Sequence, residues 1–187
     1  MTQALWFTSR SSGLVTLLLL TAVMVLGALH TGRATTPFWS RFAMHALHRN
    51  IALLALAFLT VHVATAIIDP YAGIRWLDAV VPFASSYHPF WTGLGATAAD
   101  LLVALVVTSL VRTRIPWKAW RGLHGAAYGL WPVALVHGWG IGGVDSARGW
   151  VLTVDGVCVV AVVVAVVLRA LARHPDTEAR QTGAELR

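Results

Sequence analysis

Charged side chains are scarce in this chain: only 12% of its 187 residues are Asp, Glu, Lys or Arg, against about 25% in average soluble proteins. With 57% hydrophobic residues and a mean hydropathy of +0.70, the composition excludes an ordinary water-soluble domain and indicates a membrane protein. At about 20 apolar residues per crossing, this length holds about five or six membrane helices and leaves no room for a separate soluble catalytic domain.

Cysteine and lysine are each present once, as Cys158 and Lys118. A single cysteine excludes an intramolecular disulfide, a four-cysteine zinc site and the C-x-x-C-H motif that attaches haem covalently. Any cofactor is therefore expected to be held noncovalently. Histidine, by contrast, is abundant, with eight residues in a chain that has few other polar groups.

Five apolar segments are long enough to cross a bilayer about 30 Å thick at about 1.5 Å per helical residue. They cover residues 12–30, 47–68, 90–111, 119–141 and 149–172. The first segment exceeds the apolar run of a signal peptide and is followed by no obvious A-x-A cleavage site, so we expect it to be retained. The expected fold class is all-α: an integral membrane bundle of about five transmembrane helices within residues 1–172. The polar segment 173–187 predicts a disordered cytoplasmic tail.

Basic residues are distributed unevenly between the predicted loops. One set of alternate loops holds eleven of the 14 Lys and Arg residues: Arg33, Arg41, Arg49, Arg112, Arg114, Lys118, Arg121, Arg169, Arg173, Arg180 and Arg187. The other set holds Arg10, Arg75 and Arg148, with Asp69, Asp78 and Asp145 beside them. The positive-inside rule therefore predicts a multi-pass protein of the cell membrane with its N-terminus outside and its C-terminus in the cytoplasm. The same rule explains the net charge of +6 without a nucleic-acid partner.

Four histidines form a regular pattern in the second and fourth predicted spans. His48 and His62 are separated by 14 residues, and His124 and His137 by 13. Both spans run from the cytoplasm outward in the predicted topology, so His48 lies level with His124 and His62 with His137, with about 21 Å between the two levels. Ionisable side chains are costly inside a bilayer and indicate function. A bare zinc ion needs four ligands, whereas haem iron needs two axial ligands, which one imidazole from each helix supplies.

Helical phase agrees with one of these two separations. Fourteen residues return His62 to within about 40° of the face that carries His48. Thirteen residues place His137 about 140° from His124 in a straight helix, and we expect Pro132 between them to disturb the helix and change this phase. His45 is the alternative to His48, but it is about 100° out of phase with His62 and nearer the basic start of the span.

This arrangement resembles the ferric-reductase-like transmembrane family, which includes the haem domains of NADPH oxidases and ferric reductases and the haem subunit of the bacterial periplasmic methionine sulfoxide reductase system. The resemblance is carried by RNIALLALAFLTVHVATAIID and WRGLHGAAYGLWPVALVHGWG and covers residues 12–172. It implies two b-type haems, one held by His48 with His124 and the other by His62 with His137. It also implies membrane electron transfer toward the outside.

The chain differs from the larger members of that family. It has one predicted span fewer, and we find no flavin or nicotinamide domain in it. The implied electron donor is therefore quinol or a separate flavin reductase. The acceptor is expected outside the cytoplasm, with ferric iron, oxygen and an exported redox partner as the alternatives. No residue pattern indicates a bound flavin.

Several other residues are secondary candidates. Four basic residues flank the inner histidine pair, where they could hold haem propionates or simply follow the positive-inside bias: Arg41, Arg49, Lys118 and Arg121. Asp100, in the middle of the third span, could relay protons or hydrogen-bond to a neighbouring span. His88 could meet the electron acceptor or be an ordinary interfacial loop residue. Gly125 and Gly129 form a G-x-x-x-G face beside His124 that would admit a haem or a helix.

Two other classes of function stay open. In a proton or metal transporter, the histidines would line a path, and the purified protein would be colourless. In a non-redox membrane scaffold, they would bond to the backbone or to water, and replacing His62 would change little beyond packing.

Overall fold

The computed structural model describes residues 3–31 and 40–171, and the predicted tail 173–187 lies outside them. The described residues form helices and no strand. The α-helices are α1 (Gln3–Thr31), α2 (Arg41–Ile68), α3 (Pro89–Leu110), α4 (Trp117–Gly125), α5 (Ala127–Gly142) and α6 (Gly149–Leu171). Short 3₁₀ turns at Trp76–Ala79, Arg112–Arg114 and Gly143–Ala147 connect them. The expected all-α membrane bundle is confirmed.

Local sequence signals fix where several helices begin. The hydroxyl of Ser40 accepts a hydrogen bond from the Ala43 N–H at 3.1 Å and caps the start of α2. Pro89 is the first residue of α3, a position where the missing N–H costs nothing. Pro116 precedes α4 and separates it from the turn that follows α3.

Within the described residues, four helices are long and apolar enough to cross a membrane: α1, α2, α3 and α6. The predicted span 119–141 is divided instead between α4 and α5. The division falls at Ala126, whose N–H lies 2.9 Å from the Leu123 carbonyl in a tight turn. It follows Gly125, a residue type that weakens helices, whereas α5 continues through Pro132. The interruption between the two histidines therefore lies at Ala126 rather than at Pro132.

The bundle is built around α1, which packs along α2 and against α5 and α6, while α3 packs along α5. The buried core residues are Leu20, Ala55, Leu102, Leu105, Val106, Leu130, Trp131, Cys158 and Val162. The indole N–H of Trp131 donates to the hydroxyl of Thr21 at 2.9 Å, so the one polar atom of this buried ring is satisfied between α5 and α1. Cys158 packs in this core as a small apolar residue.

The two ends of the bundle differ in their charged residues. We call the end with Arg49, Arg112, Arg114, Lys118 and Arg121 the basic end, and the end with the segment 69–89 the loop end. In that segment, the carboxylate of Asp78 accepts the Arg75 backbone N–H at 2.9 Å and its guanidinium at 2.7 Å. The side-chain hydrogen bond from Arg75 is the main reason that the pKa of Asp78 lies below its usual value.

Candidate functional site

The structure brings the four predicted histidines together as two pairs. The ring centroids of His48 and His124 are 6.2 Å apart, and those of His62 and His137 are 6.3 Å apart. Helix α2 supplies His48 near the basic end and His62 toward the loop end. Its partners come from two helices, His124 from α4 and His137 from α5, so the phase of a single straight helix does not apply to them.

Both separations are those of two imidazoles on opposite sides of one metal atom. A ligating imidazole nitrogen lies about 2 Å from a metal and about 1.1 Å from its own ring centroid, which gives about 6.2 Å between two opposed centroids. Within residues 3–31 and 40–171, no group of three or more His, Cys, Asp or Glu side chains is placed to hold a metal. A bare metal ion such as zinc needs more than two protein ligands, whereas haem iron needs two axial ones.

Backbone carbonyls orient the two rings of the pair nearer the loop end. The Nδ1 of His62 lies 2.8 Å from the Ser9 carbonyl oxygen, and the Nδ1 of His137 lies 2.7 Å from that of Trp91. A carbonyl oxygen only accepts, so each Nδ1 carries the proton and donates it. The lone pair of each neutral ring is then on Nε2, the tautomer that metal ligation through Nε2 requires.

Aromatic rings and a hydroxyl surround His124 of the other pair. The indole of Trp120 stacks on the His124 ring with 4.8 Å between centroids and 19° between planes. The hydroxyl of Ser109 in α3 lies 3.4 Å from the His124 Nδ1. The Trp120 Nε1–H is buried and meets no acceptor among the described residues. A buried donor without an acceptor is costly, so this N–H points to a missing acceptor beside the pair.

Three glycines lie directly against these rings. A Cβ at Gly13 would be 2.9 Å from the His62 Nδ1, and one at Gly27 would be 3.3 Å from the His48 Cε1. A Cβ at Gly95 of α3 would overlap the His137 ring. Because α1 and α2 are antiparallel and both residue pairs are 14 apart, each α1 glycine meets one α2 histidine.

Sequence reasoning missed these three glycines, although the equal spacing of 14 residues in α1 and α2 is a signal that could have found Gly13 and Gly27. It singled out Gly125 and Gly129 instead. A Cβ at either of these meets no protein atom within 4 Å, so no described helix packs closely on that face.

A cavity of about 480 Å³ extends from His62 and His137 toward the loop end. This volume falls within the range of about 300–1,000 Å³ that small-molecule sites occupy. Its wall includes a cluster of ion pairs, in which Asp145 lies 3.1 Å from the Arg10 guanidinium and 2.8 Å from that of Arg148. The Arg10 guanidinium also lies 5.3 Å from the centroid of the Trp6 ring. Sequence reasoning counted Arg10 only as a loop charge and missed this position.

The secondary candidates lie outside the two pairs. His45 is exposed at the basic end, with its Nε2 3.3 Å from an Arg112 nitrogen, so it is not the partner of His124. Arg49, Lys118 and Arg121 are exposed at the same end and form no ion pair with any described residue.

The two remaining candidates belong to α3. His88 is its exposed N-cap, in a left-handed conformation with φ of 42°, and its ring lies edge-on to Tyr87 at 4.7 Å. Asp100 is exposed in the middle of the helix and lines a groove between α2 and α3 that also contains Thr60. Neither residue belongs to the histidine pairs.

These observations define a membrane helical bundle with two histidine pairs stacked along its axis. Residues 12–135 match the family described as "Ferric reductase like transmembrane component", and the chain belongs to that family. The matched region contains His48, His62 and His124 and ends two residues before His137. Neither the curated proteins nor the solved structures include a match to the chain.

Proposed function

We propose that this chain binds two haem b groups and carries electrons across the cell membrane. His48 and His124 would hold one iron, and His62 and His137 the other. The single observation that carries the proposal is the separation of 6.2 and 6.3 Å between paired rings, which is the distance that two axial imidazoles need. The membership of a transmembrane redox family supports the same function.

The residues around the pairs fit a porphyrin. The glycines at positions 13, 27 and 95 leave room for the rings, and the carbonyls of Ser9 and Trp91 set two of the four tautomers. Haem propionates need cationic or N–H donors. Arg10 and Arg148 line or adjoin the cavity at the loop end, and the buried Trp120 N–H serves the other pair.

When bound, each haem supplies an iron that accepts and releases one electron. The protein's own residues hold the two sites at separate depths, exclude water with an apolar bundle and tune each iron through its histidines. In the orientation predicted from the loop charges, electrons enter at the basic end from quinol or a separate flavin reductase. They leave at the loop end to an extracytoplasmic redox acceptor.

A reduced-minus-oxidised optical spectrum of the purified protein, with haem quantified per chain, tests this proposal. We expect a b-type spectrum and about two haems per chain. His48→Ala and His62→Ala should each lose one haem, and each should lose a different one by redox titration. His45→Ala and His88→Ala are matched controls that should keep both.

Colourless protein from haem-replete cells would contradict the proposal and favour a path of histidines for protons or metal ions. Equal loss of both haems in the two single variants would contradict the assignment of separate pairs.

A further inference from the structure

The two tryptophans of α4 connect the His48–His124 pair to the surface of the basic end. Trp117, Trp120 and His124 follow one face of the helix at spacings of three and four residues. The indoles of Trp117 and Trp120 stack with 5.1 Å between centroids and 28° between planes, and Trp120 in turn stacks on His124. The Trp117 ring is 66% exposed. A continuous column of aromatic rings therefore runs from an exposed surface to a proposed iron ligand.

The surface around Trp117 is positive and has no opposite charge among the described residues. The exposed cations of this end are Arg49, Arg112, Arg114, Lys118 and Arg121. The five carboxylates of residues 3–31 and 40–171 lie elsewhere: Asp69, Asp78 and Asp145 at the loop end, Asp100 in mid-helix, and Asp155 in the half of α6 nearer the loop end. A broad cationic face attracts a partner with a complementary acidic face and speeds its association.

We propose that this face, which includes Trp117, is the docking surface for a soluble redox protein with an acidic face. The inference rests on the proposed function and names where its donor binds. His48 and His124 would hold the haem iron that would take up one electron from the donor's redox group, going from ferric to ferrous. The donor is oxidised by one electron, and any proton that it loses goes to the surrounding water. The indoles form and break no bond.

The column of stacked rings favours a protein partner over lipid headgroups alone. Interfacial tryptophans and basic loops are general features of membrane proteins. Anchoring at lipid headgroups needs only exposed indoles. It gives no reason for Trp117 to stack on Trp120, or for Trp120 to stack on His124 of the candidate site.

The test uses the haem-loaded full-length chain in nanodiscs of phosphatidylcholine, which carries no net charge, and flavodoxin as the acidic redox protein. Binding of oxidised flavodoxin is followed by the anisotropy of a fluorescent dye attached to it and repeated with haem-free protein. Trp117→Leu and the double variant Lys118→Gln, Arg121→Gln should each weaken binding about tenfold, and binding should weaken as salt rises. Phe42→Leu, which changes an aromatic ring 85% exposed at the same end, should bind as the wild type does.

A second measurement follows haem reduction by flavodoxin hydroquinone after rapid mixing. Trp117→Leu should be reduced about tenfold more slowly, with an unchanged dithionite-reduced spectrum. Unaltered binding and reduction in Trp117→Leu would overturn the proposal. If free reduced flavin mononucleotide reduces the haem efficiently and flavodoxin does not bind, the donor is a small molecule rather than a protein, and the proposal is wrong. Binding of the anionic lipid phosphatidylglycerol is compared in the same variants. If they still bind flavodoxin in phosphatidylcholine nanodiscs but no longer bind phosphatidylglycerol, the face is a lipid site and the proposal is wrong.

These arms separate the inference from the proposed function. A protein without haem would contradict the proposed function. Binding of flavodoxin to haem-free protein tests the docking surface separately, because it does not depend on haem.

Discussion

At the scale of single residues, the position of each imidazole depends on neighbours that differ between the two pairs. His62 and His137 donate to fixed backbone carbonyls, whereas His124 is held by a stacked indole and lies 3.4 Å from a serine hydroxyl. A hydrogen bond from Nδ1 to a strong acceptor increases the electron density that a histidine gives to a metal. His124 therefore differs from His62 and His137 in the groups that could tune a bound metal.

Gly95→Ala is the substitution that should disturb one site most selectively. The added methyl group would overlap the His137 ring, so we expect the ring to shift and its hydrogen bond to the Trp91 carbonyl to be strained or lost. We expect loss of the haem at the His62–His137 pair, retention of the other haem, and a loss of about 1–3 kcal/mol in stability from overpacking. Haem quantification and redox titration measure the first two effects, and thermal unfolding in detergent the third.

Gly156→Ala in α6 is the matched control, because a Cβ there meets no protein atom within 4 Å. It should keep both haems and gain slightly in helix propensity. Two haems with unaltered potentials in Gly95→Ala would show that the ring has room to move and that this glycine does not set its position.

At the scale of elements, the segment between α2 and α3 depends on one ion pair. Asp78 is 2% exposed, and its pKa is lowered chiefly by the side-chain hydrogen bond from Arg75. A carboxyl with a lowered folded-state pKa stabilises the fold above its unfolded pKa of about 3.9, and this contribution is lost as the pH falls through the folded value. Asp78→Asn should therefore lower stability at neutral pH and remove part of the loss that the wild type shows below about pH 4.

Thermal unfolding of Asp78→Asn and of the wild type between neutral and acidic pH measures this difference. Asp69→Asn is a comparison in the same segment, since Asp69 accepts the Tyr71 N–H at 3.1 Å and pairs with no described cation. If the unfolding temperatures of Asp78→Asn and the wild type changed with pH in the same way, the Asp78–Arg75 ion pair would not be the cause of the acid-dependent loss of stability.

The elements also show which features could be read from the sequence. The position of His48 and His62 on one face of α2 was predictable, because α2 is uninterrupted and 14 residues are close to four helical turns. The division between α4 and α5 was not predictable, because the sequence has two helix-weakening residues in this span, Gly125 and Pro132, and periodicity does not say which of them interrupts the helix. The contact of Gly13 with His62 depends on the axial register of α1 against α2, which the periodicity of a single helix does not specify.

At the scale of the whole molecule, α2 is attached to the rest of the bundle mainly through α1. It packs extensively on α1, little on α3, and has hardly any direct packing against α4 and α5. Its two histidines nevertheless face rings on those two helices. A haem bridging each pair would therefore add the links that the polypeptide does not make, and the cofactors would join the two sides of the bundle.

Removal of haem should accordingly loosen α2 more than any other helix. A ligand that binds only the folded state stabilises it by about 2.7 kcal/mol when its free concentration is 100 times its Kd, so each haem should raise stability by an amount of this order. Protein made under haem limitation should unfold at a lower temperature than loaded protein, with His62→Ala between them. Amide exchange should increase most along α2, with α3 as the internal reference because its packing on α5 needs no cofactor. Equal unfolding temperatures and equal α2 exchange in the two forms would mean that the histidine pairs are held by the polypeptide alone and that haem contributes nothing to joining the helices.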